Sequence, residues 1–113
     1  MDIKIKPLAE FDKEYKRLSK KYHSLFGEIR ELGEALKLNP KQGKPLGANL
    51  FKIRLASASK GKGKRGGFRV ITYYLEETKD ESILYLTTIY DKSEVSDIPK
   101  SQLLQLLKNA NLR

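Results

Sequence analysis

The sequence predicts an α+β fold: an N-terminal strand and an αα-hairpin packed on a mostly antiparallel β-sheet of about four strands, with a short C-terminal helix. Three observations predict it. Apolar residues recur at helical spacing from Leu8 to Leu36, and the period changes to two after Leu50. Nothing in the 113 residues repeats or marks a second domain, so residues 1–113 are read as one unit with a modest core.

Residues 2–6 (DIKIK) alternate apolar and charged and end at Pro7, as a short edge strand does. The stripe Leu8, Phe11, Tyr15, Leu18, Tyr22, Leu25, Ile29, Leu32, Leu36 then puts one apolar face on a helix, with Lys, Arg and Glu opposite. One long coiled-coil helix fits that stripe. His23–Gly27 (HSLFG) interrupts it, and Ser24 suits a helix cap, which favours antiparallel helices over 8–22 and 25–38 stopped by Asn39-Pro40. A Gly/Pro-punctuated connection (KQGKPLGAN) comes next.

Within 50–57 (LFKIRLAS), Phe51, Ile53 and Leu55 share one face and Lys52 and Arg54 the other. Residues 67–75 (GFRVITYYL) and 82–90 (SILYLTTIY) are β-branched and aromatic, joined by a charged hairpin tip (EETKDE). Residues 99–110 (PKSQLLQLLKNA) read as the terminal helix. The expected order is β-α-α-β-β-β-α.

Charge is unevenly placed. The formal net charge is +9, yet nine basic and no acidic residues lie between Lys41 and Arg69, and the rest of the chain balances. A concentrated excess makes a local positive potential suited to a polyanion; a solvated basic loop is the other reading at this point. The absence of cysteine excludes disulfides, thiolate zinc and a cysteine nucleophile. No membrane span and no signal peptide is evident in the sequence, so a cytoplasmic protein without a membrane partner is expected.

Gly61-x-Gly63-x-x-Gly66 has dinucleotide spacing but leads into a strand instead of opening a helix, so no nucleotide cofactor is expected. The one histidine, His23, falls in a turn, and Asp91, Glu94 and Asp97 match no metal loop, so no metal is expected either. What remains is cations on strands: Lys52, Arg54, Arg69, and Lys92 just after the last strand. Any one alone reads as a basic solvent face; together they can ring a groove. Such a groove can act on RNA, which carries its own nucleophile, the 2′-hydroxyl. The protein then orients the backbone and stabilises charge on the phosphoryl oxygens.

The combination NLFKIRLA, the loop KGKGKRGG, GGFRVITYYL, YLTTIYDKSE and a Leu-rich terminal helix behind an αα-hairpin resembles the RelE/ParE toxin superfamily, most closely its HigB-like RelE branch. The resemblance implies the toxin of a type II toxin-antitoxin module, a ribosome-dependent, metal-independent endoribonuclease with no cofactor. Its implied partners are the ribosome's decoding site, mRNA and a cognate antitoxin encoded beside it, with operator DNA bound only through the antitoxin complex. It implies catalytic roles for Lys52, Arg54, Arg69 and Lys92, and RNA or ribosome contacts for Lys60, Lys62, Lys64 and Arg65. The C-terminal tyrosine frequent in such relatives is missing from SEVSDIP. Tyr90 is then an auxiliary candidate, against the simpler reading of a buried aromatic at a strand end. Two other functions stay open: gyrase inhibition as in the ParE branch, which tends to lack the strand cations, and non-catalytic nucleic-acid binding, for which a surface aromatic platform is missing.

Overall fold

The computed structural model describes residues 2–61 and 66–113. The chain runs β1 (Asp2–Pro7), α1 (Ala9–Lys21), α2 (Leu25–Leu38), β2 (Lys44–Gly47), β3 (Leu50–Leu55), β4 (Phe68–Glu76), β5 (Glu81–Asp91) and α3 (Lys100–Asn109). Among the described residues, no helix is long and apolar enough to cross a membrane.

The five strands form one mixed sheet in the order β1-β5-β4-β3-β2. Pairs β2–β3, β3–β4 and β4–β5 are antiparallel, while β1 runs parallel to β5, with Ile3 opposite Ser82 and Ile5 opposite Leu84. The expectation of about four strands is thereby corrected to five. The extra strand, β2, lies inside the segment read as a plain connection. Its Pro45 is tolerable because β2 is an edge strand. Two helices form as expected, broken at Tyr22–Ser24. Ser24, expected to cap α2, makes no side-chain capping bond. Its hydroxyl instead meets those of Ser59 (2.6 Å) and Ser57 (3.2 Å).

Each face of the sheet has its own core. The predicted stripe supplies Phe11, Leu18, Leu25, Leu32 and Leu36, which pack with Ile53, Phe68, Val70 and Leu84. On the other face Leu103 and Leu107 of α3 pack with Leu50, Ile71, Tyr73 and Tyr90. One irregularity in β5 decides which way its last residues face. Ile71 pairs with Thr88 but Thr72 pairs with Leu86, leaving Thr87 as an extra residue in β5. The bulge inverts the alternation, so Ile89 joins the α1–α2 core and Tyr90 joins the α3 side.

Candidate functional site

Strand pairing brings the predicted cations together. Directly opposed residues share a face, and so do residues two apart along a strand. Arg54 lies opposite Arg69, and Arg69 opposite Tyr90. Lys52 lies opposite Lys44 on β2. Lys92, one residue past β5, donates its backbone N–H to the carbonyl of Gly67, which continues the β4–β5 ladder. Lys44, Lys52, Arg54, Arg69 and Lys92, together with Gln42, Gly43 and Ile53, line one cavity of about 490 Å³. All four residues with implied catalytic roles are therefore in one place. Lys44 is the cation that sequence reasoning missed: it sits in the same basic window, but its register against Lys52 is not legible locally.

Like charges directly opposed across strands destabilise a sheet, and the site carries two such pairs. The segment joining β5 to α3 partly compensates. Asp97 Oδ1 lies 2.6 Å from Lys52 Nζ, and this hydrogen bond holds the Asp97 carboxyl below its ordinary range. The Lys92 ammonium donates to the Ser96 carbonyl. Glu94 accepts two hydrogen bonds from Arg17 of α1 at 2.8 and 3.2 Å, which pin the same segment from the other side and lower the Glu94 pKa. Asp91, Glu94 and Asp97, read from sequence as a charged turn, thus each meet a separate cation. Among the described residues no group of carboxylates or His is placed to hold a metal ion.

Arg69 is 5% exposed, and its Nη1 donates to the Phe68 carbonyl at 3.2 Å. Arg54 is exposed. A fixed buried guanidinium facing an exposed one suits an anion that must be both oriented and admitted. Gly67 closes the loop onto this corner. A Cβ there would fall 2.1 Å from the Leu55 carbonyl oxygen, so only glycine permits the approach of β4's start to β3's end.

Lys60, for which the resemblance implies an RNA or ribosome contact, is engaged within the fold. Its ammonium is paired with Asp91 Oδ1, with side-chain exposures of 7% and 1%. It also lies 5.1 Å from the Tyr22 ring centroid and 5.4 Å from that of Phe68. Burial would raise the Asp91 pKa. The hydrogen bond from Lys60, two from Ser93 and one from the Tyr22 hydroxyl overcome it and bring the value down to about 2. Lys60 therefore ties the chain just after β3 to the end of β5, with its ammonium engaged inside the fold. No local pattern foretells this, because its counter-charge is 31 residues away. The loop's first residues are further held by Ser59 N–H to Ser24 Oγ (3.0 Å) and Ala58 N–H to Glu28 Oε2 (2.7 Å). Lys62, Lys64 and Arg65 lie outside the described residues.

Tyr90 is 4% exposed, belongs to the α3-side core and does not line the cavity. Burial chiefly raises its hydroxyl pKa, with Asp97 acting in the same direction against Lys52 and Arg69. That placement fits a buried aromatic better than a proton acceptor. His23 is an exposed turn residue. A scan against models of known protein families finds none that matches the chain.

Proposed function

We propose that this chain is a RelE/ParE-type toxin of a type II toxin-antitoxin module, a ribosome-dependent endoribonuclease that cuts mRNA and stops translation. The observation that supports the reading is the convergence of Lys52, Arg54, Arg69 and Lys92, drawn from two strands and the turn after a third, on one cavity. In the proposed reaction the RNA 2′-oxygen attacks the adjacent phosphorus in line. The new 2′-O–P bond forms as the P–O5′ bond breaks, leaving a 2′,3′-cyclic phosphate and a 5′-hydroxyl. The 2′ proton passes to solvent, and the 5′ oxygen takes one from solvent or from a neighbouring ammonium, which solvent then reprotonates.

Arg69 and Arg54, opposed across β4 and β3, hold the non-bridging oxygens on which charge accumulates. Lys52 and Lys92 supply ammonium groups beside the leaving oxygen. Positioning and electrostatic stabilisation contribute most to lowering the barrier in such a site, and no metal or cofactor is required by this scheme. A cognate antitoxin with acidic side chains would silence the site by covering it.

The test is Arg69→Ala in a translating extract, with circular dichroism confirming the fold. Loss of one charge-stabilising donor should slow mRNA cleavage by about 10²–10³-fold. Wild-type cleavage by the variant would refute the assignment of Arg69. Transcripts left intact by the wild-type protein would favour non-catalytic binding.

A further inference from the structure

The cavity's cations lie in sheet order. Lys44 belongs to β2, Lys52 and Arg54 to β3, Arg69 to β4, and Lys92 comes just after β5, on four neighbouring strands. The register makes the row diagonal. Lys44 and Lys52 stand level, Arg54 and Arg69 stand level two residues further along β3, and Lys92 lies beyond Tyr90. Three strand spacings carry the row roughly 14 Å across the sheet, and each two-residue step adds about 6.7 Å along it. A single phosphate reaches only one level of such a row, whereas a chain of phosphates can follow all of it.

We infer that Lys44 forms a second phosphate subsite, one nucleotide or more from the reacting phosphate, where a single RNA strand crosses the sheet diagonally from the open β2 edge. This rests on the reading of the cavity as an RNA site and adds to it the strand's path and a binding residue outside the reacting centre. Two observations single out Lys44. It is exposed, and no side-chain ion pair or hydrogen bond of its own is formed among the described residues, whereas Lys52 opposite it is partnered by Asp97. Its position is also built. Gly43 has φ +102°, and a Cβ there would meet the Lys52 carbonyl oxygen at 2.6 Å and Ile53 Cγ1 at 2.9 Å. The close approach that sets Lys44 against Lys52 therefore needs a glycine.

The ligand class is a polynucleotide with consecutive phosphodiesters. Lys44 senses the length of the strand and makes no contact with the reacting atoms, so it is a binding residue and not a catalytic one.

The experiment measures affinity of the full chain for 2′-O-methyl oligoribonucleotides, which cannot be cut by this route, as dimer, trimer and tetramer over a salt series. The wild-type protein should gain affinity with each added phosphodiester. Lys44→Ala should lose the gain on the longer oligomers, lower their salt slope by about 0.7, and leave dimer binding unchanged. Arg54→Ala should weaken all lengths alike. Longer oligomers bound equally by wild type and Lys44→Ala, or a dimer weakened as much as the tetramer, would overturn the subsite while leaving the cavity reading intact. No binding of any oligomer by the wild type would overturn both.

Discussion

The Lys60–Asp91 pair turns acid stability into a measurable quantity. Asp91 is 1% exposed and titrates at about 2 in the folded chain against an ordinary 3.8. That difference corresponds to roughly 2 kcal/mol of stability. Because the folded-state value lies below the ordinary one, the contribution is complete above about pH 4 and disappears as pH falls through 2. Asp91→Asn removes the charge with little change of shape and leaves the Lys60 ammonium buried beside a neutral amide. Breaking a buried pair from one side typically costs about 3–5 kcal/mol. Urea unfolding should therefore show a deficit of that order near neutral pH, narrowing toward about pH 2.5 as the wild-type carboxylate protonates. Lys60→Met combined with Asp91→Asn should recover most of the loss, since no unpaired charge remains. A deficit equal at both pH extremes, or a double variant no better than Asp91→Asn, would refute the clasp.

Two further outcomes are expected from the site's geometry. Asp97 is 59% exposed and holds the Lys52 ammonium, so in the proposed RNA site it would compete with a phosphate for Lys52. Asp97→Asn should tighten oligonucleotide binding by about two- to fivefold, the scale of an exposed ion pair, and weaker binding would instead show that Asp97 orients Lys52 for the ligand. Gly43→Ala should cost about 1–3 kcal/mol in thermal or urea unfolding, because the residue is left-handed and its Cβ has no room against Lys52; an unchanged midpoint would contradict the close approach on which Lys44's placement depends.

How much of the fold and site was legible in the sequence varies with how local each cause is. The alternation of Phe51, Ile53 and Leu55 with Lys52 and Arg54 is a property of one strand, and both faces follow from it. The stripe from Phe11 to Leu36 is equally local, and its burial against the sheet follows from period alone. The parallel pairing of β1 with β5 joins residues about 80 positions apart, and nothing in DIKIK names that partner. In β5, apolar side chains on both faces conceal the extra residue Thr87, which alone decides that Tyr90 faces α3. β2 was hidden because Gly43, Pro45 and Gly47 read as punctuation, and with it went Lys44. Lys60 looked like one more loop cation because charge counting cannot see that Asp91, Tyr22 and Phe68 surround it. Local alternation thus yields the faces on which cations stand, and long-range register decides which of them meet.

In the proposed reaction this cavity directs a substrate 2′-hydroxyl onto the neighbouring phosphate. The decisive substrate is a translated mRNA carrying a single 2′-deoxy nucleotide immediately 5′ of the cut bond. Cleavage there should be abolished, and the unmodified transcript should yield a 2′,3′-cyclic phosphate and a 5′-hydroxyl. Undiminished cutting at the deoxy position, or ends bearing a 3′-hydroxyl and a 5′-phosphate, would contradict it.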